Sequence, residues 1–194
     1  MAKTNARRRA GACILAVAVL AVLAAAGAQA HAAAAAPARS VASAQEFLRQ
    51  VLPGNRYVST AMTEIVVRAG REGLRGSFEP LPVIIDADPL AECRSLLLAD
   101  ISATDLVVHD PSAGDTAVSA LAELLRDELV GSPDGFDLGS IRELRQSGSR
   151  VYLRFAGEQL DAVVHLEGEE IAGRVHAAFD YLRRHCDPAS ATGF

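Results

Sequence analysis

With 194 residues, half of them hydrophobic, the chain is long enough to bury a substantial core and needs no metal in order to fold. Its first 30 residues hold four of the 19 Lys and Arg and none of the 24 Asp and Glu, so the remainder carries 15 against 24, a formal charge of −9. That balance excludes the basic footprint that nucleic acids and anionic membrane surfaces require.

The first 30 residues have the order of features found in a secretory signal peptide. Lys3 and the arginines at 7–9 precede an uncharged apolar stretch, and Ala28-Gln29-Ala30 supplies a small-x-small cleavage pattern. We therefore predict a signal peptide over residues 1–30 and export to the periplasm or the medium. An uncleaved anchor is the alternative, although the stretch is short for a span and rich in Ala rather than Leu. Twin-arginine export also stays open.

Three further parts are predicted after the signal peptide. Residues 31–42 are rich in Ala and Pro, which predicts a flexible linker. Residues 43–188 are close to the commonest size of a single domain. Residues 189–194 are predicted to be a disordered tail.

The first half of the domain is predicted to begin with a short helix. Ser43 and Glu46 have capping-box spacing, and Pro53-Gly54 ends the apolar helical pattern. Alternating β-formers predict a strand over Tyr57–Val67 and a second over Phe78–Ile85. Because two prolines interrupt the second run, we expect it at a sheet edge or irregular.

The second half has the clearest pattern. An amphipathic helix is predicted over Thr116–Leu129. Apolar and polar residues then alternate in three runs, at 138–144, 151–155 and 160–166. This pattern predicts an antiparallel meander with one face exposed to solvent. A last amphipathic helix follows from about Glu169 to His185, with acidic residues in its first turn and arginines in its last.

This order predicts an α+β fold. A curved antiparallel sheet, or β-roll, is capped by a long C-terminal amphipathic helix, with a short N-terminal helix and one inserted helix. The closing meander and helix resemble the end of a pleckstrin-homology-like β-roll, in which a C-terminal helix plugs an open barrel. The resemblance covers residues 137–186 and rests on element order, so it implies a fold and transfers no function.

Two cysteines, Cys93 and Cys186, remain once the signal peptide and its Cys13 are removed. Thiol pairs in exported proteins tend to oxidise, and Cys186 falls on the apolar stripe of the last helix. We predict a structural disulfide closing a loop of about 93 residues, worth roughly 4 kcal/mol in the chain-entropy description. A redox pair is the rival, but the Cys-x-x-Cys spacing typical of one is absent.

Asp86, Asp88 and His109 are the best catalytic or ligand-binding candidates, because each falls at the end of a predicted strand. A calcium loop would need more oxygen ligands and a glycine. The same residues also fit ordinary turn chemistry, in which Asp bonds its own backbone. We favour the turn interpretation.

A second candidate, a local contact for an anionic ligand, lies at the glycine-rich stretch 70–76, which contains Arg71 and Arg75 and follows Arg68 closely. The stretch has no Gly-Lys-Ser/Thr of a phosphate loop. The last helix places His176 and His185 on opposite faces, so they cannot share a metal. We predict no metal and no cofactor.

These observations predict an exported, non-catalytic binding module whose ligand is an unknown protein or small molecule of the cell envelope, with no nucleic acid and no stable membrane insertion. It would use a concave sheet face or the edge near Phe78–Ile85. The alternative is a small metal-dependent or hydrolytic envelope enzyme that uses Asp86, Asp88 and His109. A structural or inhibitor-like protein is a third interpretation.

Overall fold

The computed structural model describes residues 39–71, 73, 75–108 and 129–187. Within these ranges lie the helices α1 (Val41–Val51), α2 (Thr60–Arg71) and α3 (Glu169–Cys186), and a 3-10 helix at Leu138–Ser140. The strands are β1 (Arg56–Val58), β2 (Gly76–Glu79), β3 (Val83–Asp86), β4 (Pro89–Ala91), β5 (Arg94–Ser95), β6 (Leu98–Asp100), β7 (Asp105–Val108), β8 (Leu129–Gly131), β9 (Phe136–Asp137), β10 (Ile141–Ser147), β11 (Arg150–Phe155) and β12 (Ala162–His165).

Seven strands form one antiparallel sheet in the order β10-β11-β12-β1-β3-β6-β8. The pair β2-β7 and the trio β4-β5-β9 form two small antiparallel sheets. The predicted α+β fold, with antiparallel sheets and a C-terminal helix packed on the sheet, is confirmed. The β-roll and its likeness to pleckstrin-homology domains stay predictions. No helix in the described ranges has the length and apolar character needed to cross a membrane.

The core lies between one face of the large sheet and the helices α1 and α3. Alternate residues of the closing meander point into it, among them Val151, Leu153 and Val164, which are fully buried. On α3 the buried residues recur every three or four positions, as an amphipathic helix requires. One of them, Phe179, is fully buried, and burying such a side chain stabilises the fold by about 1.5–3 kcal/mol.

The strand predicted over Tyr57–Val67 is wrong beyond Val58. The chain leaves β1 there, and α2 follows, its first turn closed by the Met62 N–H, which donates to Ser59 Oγ at 3.2 Å. Met62 and Ala69, seven residues apart, are the buried residues of α2. That spacing is two helical turns, so the apparent alternation of β-formers came from the apolar face of a helix.

The predicted start of the first helix is also wrong. Its capping box is formed by Ser40 and Ser43, not by Ser43 and Glu46. The Ser43 N–H donates to Ser40 Oγ at 3.1 Å, and the Ser40 N–H donates to Ser43 Oγ at 2.9 Å. Glu46 instead pairs with Arg49. Helix α1 therefore begins at Val41, inside the range 31–42.

The run Phe78–Ile85 divides into two strands, β2 and β3, because its prolines fall between them. β2 pairs only with β7, whereas β3 lies inside the large sheet between β1 and β6. β2 therefore has the expected edge position, and β3 has the expected irregularity, because its pairing with β6 shifts register between Ile84 and Asp86. The predicted helix Thr116–Leu129 lies outside the described residues except for Leu129, which begins strand β8 instead.

Candidate functional site

A groove of about 500 Å³ opens where β1 meets α2, bordered by β8, β9, the 3-10 helix and the end of β11. Five separate segments of the chain contribute to it. Gly131 lets β8 pass close to the neighbouring strand, since it has a φ of 131° and a Cβ there would collide with the carbonyl oxygen of Leu97. The fold therefore requires glycine at this point of the groove wall.

The apolar part of the groove combines three aromatic residues with aliphatic ones. Phe136 and Phe155 meet edge to face, with ring centroids 5.2 Å apart. Tyr57 lines the groove with only 4% of its surface exposed. Leu129 stands at the mouth and is 46% exposed. A concave aromatic surface of this kind suits an apolar group of a ligand.

Tyr57 lines the groove and carries a hydroxyl that forms no hydrogen bond with a described residue. Every fully buried side-chain nitrogen or oxygen in the described ranges has a hydrogen-bond partner, whereas this hydroxyl bonds to no described residue. It therefore keeps contact with solvent, and the groove is the open space that Tyr57 lines. Burial raises the pKa of Tyr57 well above its ordinary value of 10.0. The phenol thus stays protonated and can donate to an acceptor.

Most other polar groups of the groove are occupied by the fold. Ser59 Oγ accepts from the Met62 N–H at 3.2 Å, and Ser132 Oγ donates to the Gly135 carbonyl at 2.9 Å. Ser140 Oγ donates to the Asp137 carbonyl at 2.6 Å. None of these serines contacts a histidine among the described residues, so the described lining has no serine–histidine pair that could act as an activated nucleophile.

Two carboxylates face the groove and differ in their partners. Asp137 Oδ1 accepts the Gly139 N–H at 2.8 Å and so caps the 3-10 helix. Glu158 is exposed at the rim and forms no ion pair with a described residue. Its charge is available to a ligand that also carries a donor.

The predicted turn at Asp86 and Asp88 is confirmed. The Asp88 N–H donates to Asp86 Oδ1 at 2.8 Å, directly after β3, so Asp86 closes its own turn. His109 lies outside the described residues. Within the described ranges, no three His, Cys, Asp or Glu side chains come together as a metal site.

Of the three arginines at the glycine-rich stretch, Arg68 and Arg71 line one small cavity that Glu64 also lines, and Arg75 is not in its lining. Arg68 lies on α2 and pairs with Glu64 at 2.8 Å. Arg71 is the last residue of α2 and Arg75 precedes β2, both exposed. A helix and a strand therefore flank the stretch, not two strands as predicted.

The two predicted cysteines form a disulfide, with an S–S distance of 2.04 Å. Cys93 lies in the turn between β4 and β5, at a φ of 63°, and Cys186 is the last residue of α3. The Leu138 N–H donates to the Cys93 carbonyl at 2.9 Å, which connects the turn to the 3-10 helix. The disulfide and this hydrogen bond together hold three parts of the chain in place: the β4-β5 hairpin, the 3-10 helix and the end of α3. They lie next to the segment that lines the groove.

Comparison of the chain with protein-family models, with curated protein sequences and with solved structures found no match. The groove itself was missed by sequence reasoning. Its aromatic residues lie far apart in the chain and form no motif. Aromatic residues are also rare in this sequence, so no sequence pattern indicated the groove.

Proposed function

We propose that this protein is an exported, non-catalytic binding module that holds a small apolar molecule, bearing a hydrogen-bond acceptor, in the groove beside Tyr57. The observation that supports this most is the pairing of an aromatic surface with a protonated hydroxyl that has no partner among the described residues. A volume of about 500 Å³ falls in the ordinary range for small-molecule sites. Glu158 at the rim would favour a ligand without a negative charge.

Binding is favoured over catalysis because the carboxylate of Asp86 and the hydroxyls of the groove serines are used by the fold. Asp86 accepts a backbone N–H, and the groove serines bond to the backbone. The signal-peptide pattern and the Cys93–Cys186 disulfide both support export, since such bonds persist in oxidising compartments. Amino-terminal sequencing of the protein from its host would test export. A mature chain beginning near residue 31 is expected, and an unprocessed cytosolic chain would contradict it.

The binding proposal can be tested with the neutral fluorophore 6-propionyl-2-dimethylaminonaphthalene, an aromatic ketone of suitable size. We expect saturable binding with a blue-shifted emission. Tyr57→Phe keeps the ring and removes the donor, so affinity should fall by about two- to tenfold, the value of one neutral hydrogen bond.

Tyr152→Phe is the matched control, because Tyr152 lies in β11 between the buried Val151 and Leu153 and so faces away from the core. It should bind the fluorophore like the unaltered protein. Absence of saturable binding, or equal losses in both variants, would refute the groove as the binding site.

A further inference from the structure

A row of cationic side chains crosses the outer face of the large sheet, the face opposite the core. Three adjacent strands, β11, β12 and β1, place Arg150, His165 and Arg56 at facing positions, with Arg150 opposite His165 and His165 opposite Arg56. Facing residues of antiparallel strands have their Cβ atoms only about 4.5–5.5 Å apart. We call these three residues the cationic row.

The cationic row has no acidic partner among the described residues. Arg56 donates from Nη1 to the Leu81 carbonyl at 2.8 Å, a neutral contact that helps to hold its guanidinium in place. Arg150 is exposed and forms no ion pair with a described residue. In contrast, the other two arginines of this face, Arg145 and Arg154, both bind Asp161, at 2.8 and 2.9 Å.

Two arginines on either side of one histidine cost stability in the absence of a counter-ion, because their like charges repel each other and would repel a charged imidazole between them. The protein partly reduces this cost, since burial, and then the charge of Arg150, lower the pKa of His165. The imidazole is therefore neutral over a wider pH range and can still donate an N–H. The charge of the row is also opposite in sign to the net charge of the chain, in which acidic residues outnumber basic ones.

We propose that the cationic row binds a compact oxyanion, a phosphate or sulfate group, between the guanidinium groups of Arg150 and Arg56 and above His165. The two arginines stand two strand spacings apart, roughly 10 Å at the backbone. To converge with Arg150 on one tetrahedral group, the Arg56 guanidinium exchanges the Leu81 carbonyl, on the β3 side of β1, for the anion, and guanidinium forks match the oxygen geometry of such a group.

This site is separate from the groove. Arg150 is the first residue of β11 and Phe155, in the groove, is the last. Five residues of extended strand span roughly 16 Å. Where the sites come closest, Arg56 of the row and Tyr57 of the groove are consecutive in β1 and so point to opposite faces of the sheet. Failure of one proposal therefore leaves the other standing.

The test is a calorimetric titration of the full chain with inorganic phosphate, sulfate and glycerol 3-phosphate at constant ionic strength. Arg150→Gln and Arg56→Gln should each weaken binding by about tenfold, as expected for the loss of a charge-assisted hydrogen bond. Tighter binding of the ester than of free phosphate would assign an esterified group, and the reverse would assign the free anion.

Arg184→Gln is the matched control, since it removes the same charge from α3, where Arg184 pairs with Asp180. It should leave binding unchanged. Arg150→Lys and Arg56→Lys keep the charge and lose the fork, so weaker binding by folded Lys variants would confirm recognition by guanidinium geometry. No saturable binding of any of the three anions, or equal weakening by Arg184→Gln, would overturn the proposal.

Discussion

The C-terminal region, residues 138–187, and the middle region, residues 76–108 and 129–137, are built in different ways. The C-terminal region has strands of four to seven residues and an 18-residue helix. The middle region has strands of only two to four residues. In the C-terminal region β10, β11 and β12 pair in chain order, whereas in the middle region β2, β5 and β6 pair with strands that come later in the chain, β7, β9 and β8.

Two distant contacts hold the trio β4-β5-β9. One is the disulfide between Cys93 and Cys186. The other is the side chain of Gln45 in α1, whose Nε2 lies 3.0 and 3.1 Å from the carbonyl oxygens of Ala91 and Arg94. Gln45 is only 4% exposed, so water cannot easily replace its side chain as the donor to these carbonyls. We therefore predict that removing a contact between residues far apart in the chain lowers the free energy of unfolding more than removing a contact between near neighbours.

The largest effect is expected from the double variant Cys93→Ser and Cys186→Ser. Its free energy of unfolding should fall by about 4 kcal/mol, because the bond closes a loop of 93 residues in the unfolded chain. Urea unfolding measures this loss. Hydrogen exchange should accelerate most in β4 and β5 and least in β11. Faster hydrogen exchange in β11 than in β4 and β5 would contradict the proposed difference between the two regions.

A smaller loss is expected from Gln45→Leu. The variant fills a similar volume but leaves the carbonyls of Ala91 and Arg94 without their buried donor, which should cost about 2 kcal/mol. Gln50→Leu, on the exposed side of the same helix, is the control and should change stability by less than about 0.5 kcal/mol. Equal losses in the two variants would show that the contact to β4-β5 contributes nothing.

The smallest effect concerns a local contact in α3. Burial alone would raise the pKa of Asp180, but the hydrogen bond and charge of Arg183, with the charge of Arg184, bring it below its ordinary value of 3.8. A lowered pKa in the folded state means that this contribution is complete above about pH 5 and is lost as the pH falls through that pKa.

Asp180→Asn should therefore cost only about 0.5 kcal/mol at pH 7, and its stability should depend less on pH below 4 than that of the unaltered protein. Urea midpoints at pH 7 and at pH 3 measure the difference. Parallel pH curves for the two proteins would contradict the role of Asp180.

The sequence predicts the order of elements in the C-terminal region, because apolar periodicity persists there over whole elements, although the first predicted strand, 138–144, begins with a 3-10 helix and the strand is Ile141–Ser147. The predicted helix Glu169–His185 is α3, Glu169–Cys186. The same method failed at α2, where the β-branched residues near Val66 resembled a strand. A run of about ten residues is too short for periodicity to outweigh composition, and only burial of Met62 in the folded core decides between the two.

The candidate sites were predictable to different degrees. The disulfide followed from the sequence because only two cysteines lie outside the predicted signal peptide. The groove and the cationic row did not, because both depend on strand register. Nothing in the sequence around Arg56 indicates that it faces His165, more than a hundred residues further along the chain. Such pairs become visible only when the order of strands in the sheet is known.

The bond between Cys93 and Cys186 also turns about half of the chain into a covalent ring. A protease that cuts once anywhere inside that ring opens the circle without releasing a fragment. The nicked molecule would migrate as one piece on a denaturing gel and separate into two bands when dithiothreitol is added. A protein built this way tolerates one scission where an unbridged chain of the same length would lose its C-terminal helix.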